Sequence, residues 1–177
     1  MFGKWLSAVA SSVLMLSCNP TTQSSLLQQE KMRDLSRYDK AGPYTIELDL
    51  DAQARANIEA EVREFLWNHW QQRRLGYVRV TRYSKEGEPS ASSYFVEPDE
   101  KSVWQIAVKI DRTLVDRGGS KSQRHESVEY GAYFVERVEV PKDGLTQRAV
   151  IPEGERRSPQ SYRLALKDEK GKSLTEI

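Results

Sequence analysis

Residues 51–76 read DAQARANIEAEVREFLWNHWQQRRLG, and this stretch decides the fold class. Ala54, Ile58, Val62, Phe65, Leu66 and His69 recur at helical spacing, with Trp70 close beside them. Glu59, Glu61, Arg63 and Glu64 lie mostly off that stripe. Residues three and four apart share one face of a helix, so the spacing predicts an amphipathic helix over about 51–74. Asp49 or Asp51 is the expected N-cap, because a short carboxylate accepts from the free N–H groups of a first turn. Arg73 and Arg74 sit where cations suit the helix dipole, and Gly76 is the expected stop signal.

The flanks of that helix read as strands. Upstream, Tyr44, Ile46, Leu48 and Leu50 alternate with Thr45, Glu47 and Asp49, the period-2 pattern of a half-buried strand. Downstream, strands are expected over 77–84, 92–97, 103–113 and 127–140, with a bulge near Tyr133-Phe134-Val135 where alternation fails. Trp104, Ile106, Val108 and Ile110 point one way, and Gln105, Lys109 and Asp111 the other. Lys85-Glu86-Gly87-Glu88-Pro89 is a turn, Gly118-Gly119-Ser120 breaks the chain, and 141–159 is a polar loop holding Val150-Ile151. Residues 162–166 and 173–177, around Lys170-Gly171-Lys172, read either as a last hairpin or as a strand with a frayed end. One helix followed by strands and short turns indicates α+β: a helix packed on an antiparallel meander, with strong curling of the sheet its extreme form.

The N-terminus carries a different signal. Lys4 precedes an apolar run from Trp5 to Leu16, and Val13-Leu14-Met15-Leu16-Ser17-Cys18 closes it with the only cysteine of the chain. A charged start, a short apolar core and small residues at its end make a secretory signal. The run is too short and too serine-rich for a membrane-spanning helix of about 20 apolar residues. The Leu-Ser-Cys ending resembles the lipobox of bacterial lipoproteins, with Met15 where that family most often has Leu. The resemblance covers the first eighteen residues. It implies cleavage before Cys18 and acylation of its thiol and new amino terminus. Asn19, in place of Asp, implies an outer-membrane anchor facing the periplasm where the host has two membranes. Residues 1–17 are then the signal peptide, 18–42 a polar tether rich in Ser, Thr and Gln, and 43–177 a single α+β domain.

Composition narrows the function further. Charged residues are 30% and hydrophobic ones 38%, which suits a soluble domain with a modest core. Lys4 is the only basic residue of the signal, so 27 − 1 leaves 26 Lys and Arg against 26 Asp and Glu. That balance argues against a nucleic-acid partner, which a basic excess would mark. One cysteine allows no internal disulfide, and two histidines leave no His-rich metal site, so no metal and no cofactor is expected.

Candidate sites remain few. His69, in Trp67-Asn68-His69-Trp70, reads either as a general base lined by indoles or as a helix-end histidine sharing the buried face. His125, beside the glycine-rich turn, reads as a solvated loop residue. Trp67, Trp70, Trp104, Tyr77, Tyr83 and Tyr94 form an aromatic set, either a sugar- or lipid-stacking surface or ordinary core and cross-strand pairs. His69, Trp70, Trp104 and Tyr77 are its candidate ligand-binding members. Arg73, Arg74, Arg79 and Arg82 suggest a patch for phosphate, uronic acid or a carboxylated peptide stem, or a solvated face with ion pairs. Gly118-Gly119-Ser120-Lys121-Ser122 lacks the spacing of a phosphate loop, and no nucleophile elbow is present. The expectation is a non-enzymatic, lipid-anchored envelope module that binds an envelope protein or glycan. The alternative is a cone-shaped domain that binds or hydrolyses a small ligand through His69. A third is an assembly factor offering an edge strand.

Overall fold

A strand, a helix and a second strand open the architecture. The computed structural model describes residues 33–115, 123–140 and 149–177. Cys18, the signal, most of the expected tether and the Gly118–Ser122 turn lie outside the described residues. The chain divides into Met1–Asp34 and Leu35–Ile177. Within the second unit, β1 (Asp39–Ile46) pairs parallel with β2 (Gly76–Tyr83), and α1 (Ala52–Gln72) joins them. Parallel neighbours need a crossover of a dozen or more residues, which the helix supplies. β1 thus begins inside the segment read as tether. Its register shifts between Ala41 and Tyr44, where Gly42 takes a φ of 78°, a conformation that suits glycine.

β3 (Pro89–Pro98), β4 (Trp104–Val115) and β5 (Gln123–Ala132) continue the sheet antiparallel, in the order β1-β2-β3-β4-β5. Side chains shape the connecting turns. Ser84 Oγ accepts from the N–H groups of Glu86 and Glu88, both at 3.2 Å. Asp99 Oδ1 accepts from Lys101 and Val103, both at 2.8 Å. β6 (Phe134–Glu139), β7 (Tyr162–Lys167) and β8 (Ser173–Glu176) form a second, antiparallel sheet of three strands. The α+β class therefore stands, with a mixed larger sheet and two open sheets in place of one continuous meander.

The expected long strand over 127–140 is two strands that belong to different sheets. Tyr130 and Ala132 face the core on even positions, whereas Val135 and Arg137 are buried on odd ones. Tyr133 absorbs the change of parity, and its N–H donates to Lys167 O across the second sheet at 2.9 Å. A one-residue shift turns every following side chain to the other face. The failed alternation marked a change of sheet, not a bulge.

Both sheets and the helix share one core. Val78, Tyr94 and Val108 lie in one cross-strand row, and Val96 and Ile106 in the next. α1 adds Val62, Leu66 and Trp70, and the second sheet adds Val135, Leu164 and Leu166. Full burial of one such aliphatic side chain stabilises the fold by about 1.5–3 kcal/mol. Asp51 caps α1, its Oδ2 accepting from Gln53 and Ala54 at 3.0 and 3.1 Å. The helix stops at Gln72, with Arg73 left-handed at φ 52°. Gly76 is not the stop. It opens β2 against His69, where a Cβ would sit 2.8 Å from His69 Cγ.

Arg63 corrects the helix reading. Placed off the apolar stripe, it is 1% exposed. Its Nε donates to Pro159 O at 3.1 Å, because the 3-10 turn Pro159–Ser161 packs on that side of α1.

Candidate functional site

His69 holds the helix end to the sheet edge. Its Nδ1 lies 2.8 Å from Phe65 O and its Nε2 lies 3.2 Å from Asp39 Oδ2. The Phe65 ring centre is 4.0 Å away, and Arg74 pairs with the same Asp39 carboxylate. Trp70 is buried in the core, with the Arg73 guanidinium 4.3 Å above its ring. Trp104 is half-buried and packs against the same core. Tyr77 points to the opposite face of the sheet from Val78, stacked on Phe95 at 5.0 Å. The four expected ligand-binding residues thus divide between the helix–sheet junction, the core and the outer sheet face. Neither of the two clefts below includes any of them.

The remaining candidates separate too. Tyr94 is buried core, and Tyr83 is exposed. Arg73 and Arg74 are engaged as above, while Arg79 and Arg82 alternate on opposite faces of β2. His125 is exposed, as expected, but belongs to β5, with Nδ1 3.3 Å from Thr113 Oγ1. A first cleft of about 380 Å³ lies at this end of the larger sheet, between Arg79, Thr81, Asp111 and His125.

A second cleft, of about 410 Å³, lies between α1 and the segment leading into β7. Trp67, Asn68 and Gln71 line it from the helix, Arg137 from β6 and Tyr162 from β7. Their convergence follows from sheet parity: the switch at Tyr133 turns Arg137 inward under the helix. Its guanidinium lies 4.7 Å from the Trp67 ring centre and 5.6 Å from that of Tyr162. Cations favour such aromatic faces. Nη1 and Nη2 donate to Glu155 O and Pro152 O at 2.8 and 2.9 Å, which pins the loop that closes the cleft.

The electrostatics follow from this packing. Burial pushes the Tyr162 hydroxyl above the usual tyrosine range, the neighbouring Arg137 and Arg63 oppose that shift, and Glu64 adds to it. Burial also lowers the Arg63 guanidinium, assisted by Arg163 and opposed by Glu59. Glu59 Oε2 lies 3.9 Å from Arg63 Nη1 and 3.4 Å from Arg163 Nη1. Among the described residues no group of His, Cys, Asp and Glu is arranged to hold a metal, and no helix is long and apolar enough to cross a membrane.

Sequence reasoning placed Trp67 in an aromatic set but missed its partner Arg137. The available signal was the broken alternation at 133–135. No family model, curated protein or solved structure matches this chain.

Proposed function

We propose that this chain is a lipid-anchored protein of the cell envelope, and that its 35–177 unit is a non-enzymatic binding module. The observation that carries the reading is the sole cysteine, Cys18, closing Leu14-Met15-Leu16-Ser17 after Lys4 and an apolar run. A short charged apolar leader directs export, and an acylated cysteine supplies an anchor without a spanning helix. Asn19 favours the outer membrane, facing the periplasm, in a host with two membranes. The polar composition of residues 19–34, with its Ser, Thr and Gln, supports a tether role for that segment. Its partner is an envelope protein or glycan. The cleft lined by Trp67 and Arg137 supports a binding role, since it joins aromatic surface to polar groups.

The test is intact mass and membrane fractionation of the native protein beside Cys18→Ser. The expected result is acyl mass at the amino-terminal Cys18 of the wild type, with the variant unprocessed or displaced from the membrane. Identical behaviour of the two proteins, with no lipid mass, rejects the anchor.

A further inference from the structure

The cleft between α1 and β6 holds a buried cation, Arg137, that no ion pair engages among the described residues, although Glu64 and Glu155 also line the cleft. Arg137 is 5% exposed. Two of its nitrogens donate to backbone carbonyls, and Nε has no hydrogen-bond partner among the described residues. Carbonyl oxygens satisfy donors but do not neutralise a buried charge. On the rim, Arg157 is already engaged by Glu139 and Glu155 at 3.2 and 2.8 Å. Arg156 is exposed, and no ion pair holds it among the described residues. The cleft therefore presents one open guanidinium, Arg156, to an incoming negative group, and the buried Arg137 adds positive potential without direct contact.

The wall supplied by α1 is of another kind. Trp67, Asn68 and Gln71 follow one another along the last turns of α1, with Glu64 one turn earlier. The half-buried Trp67 indole, one face of which meets Arg137, offers apolar surface to the cleft, and each amide offers paired donors and an acceptor. Hydroxyl groups donate and accept at once, so vicinal hydroxyls match such amides and the Glu64 carboxylate. Pro159 is the one aliphatic side chain among the described residues that line the cleft, so a branched apolar peptide side chain finds little aliphatic surface. The volume of about 410 Å³ falls within the range of small-molecule sites.

We propose that this cleft binds a saccharide carrying a carboxylate. The sugar lies against Trp67, its hydroxyls meet Asn68, Gln71 and Glu64, and its carboxylate meets Arg156 at the mouth above Arg137. The choice of a glycan over a small free acid rests on the envelope reading.

The experiment is calorimetric titration of the full chain in detergent with α-1,4-linked trigalacturonate and with α-1,4-linked galactotriose. The two probes differ in the oxidation of C6 alone. Trigalacturonate is expected to bind at least about tenfold more tightly than the neutral sugar. Arg156→Gln should abolish that preference, and Arg156→Lys should retain part of it, because the charge survives without the bidentate fork. Absence of trigalacturonate binding up to about 10 mM overturns the proposal. So does equal affinity for both sugars, or a preference unchanged in Arg156→Gln. The outcome is separable from the anchor: acyl mass on Cys18 without a saccharide titration removes the cleft proposal alone. A titration without acyl mass removes the envelope reading and leaves the cleft.

Discussion

The guanidinium of Arg137 lies 4.7 Å from the ring centre of Trp67, joining the second sheet to the helix through a buried charge on an aromatic face. The pair matters beyond its own attraction. Arg137 also holds Glu155 O and Pro152 O, so one side chain fixes both the floor and the closing loop of the cleft.

Replacement of Arg137 by Met keeps most of the volume and removes the donors. Two carbonyls then lose charge-assisted hydrogen bonds. The expected loss is about 2–4 kcal/mol of stability, read as a lower urea midpoint at unchanged slope.

Gly76 and His69 form a second coupled pair. A methyl at position 76 meets His69 Cγ at 2.8 Å, and the ring is held by Phe65 O and Asp39, so it cannot swing away freely. Gly76→Ala is expected to lose about 1–3 kcal/mol. His69→Ala opens the space, so the double variant should be more stable than the sum of the single losses implies. Strict additivity in a chemical-denaturation cycle would show that the two residues do not press on each other.

Asp99 predicts a step in acid stability. The N–H of Val103 holds its carboxyl below the usual aspartate range, with Lys101 N–H and the Tyr133 hydroxyl adding to the effect. A depressed folded value means that the contribution is complete above the unfolded pKa of about 3.9. It is lost as pH falls through the folded value. Asp99→Asn should unfold at a lower temperature than wild type at neutral pH, and the gap should close as pH drops through that window.

Tyr162 predicts the reverse at high pH. Burial raises its hydroxyl pKa in the folded protein. The stabilisation is complete below the unfolded value of about 10 and is lost as pH rises through the folded one. Tyr44, Tyr130 and Tyr133 are raised too, each chiefly by burial. Tyr162→Phe should therefore remove part, not all, of the alkaline loss of thermal stability above pH ~10.

Much of the fold was legible because its signals are local. The apolar spacing from Ile58 to Trp70 marked α1, its cap was narrowed to Asp49 or Asp51, of which the structure uses Asp51, and the alternation around Ile106 and Val108 marked β4. Lys170-Gly171-Lys172 left a hairpin and a frayed strand open, and the structure decides for the hairpin, with Asp168 Oδ1 accepting from Lys170 and Lys172. The cleft was less legible. Arg63 and Arg137 look like surface residues by type, yet each is buried and donates to a backbone carbonyl of another segment, Pro159 O and Pro152 O respectively. A charged residue says nothing in sequence about which oxygen will meet it.

By itself, then, the sequence determined the α+β class, the helix and the turn at 85–89, because each depends on residues within a few positions of one another. The tertiary structure alone decided the parallel pairing of β1 with β2, the change of sheet at Tyr133 and the gathering of Trp67, Arg137 and Tyr162. Those features join segments far apart in the chain, as Arg63 and Pro159 are joined across 96 positions. Which distant face meets which is settled by the packing of the whole core, and no local pattern records it.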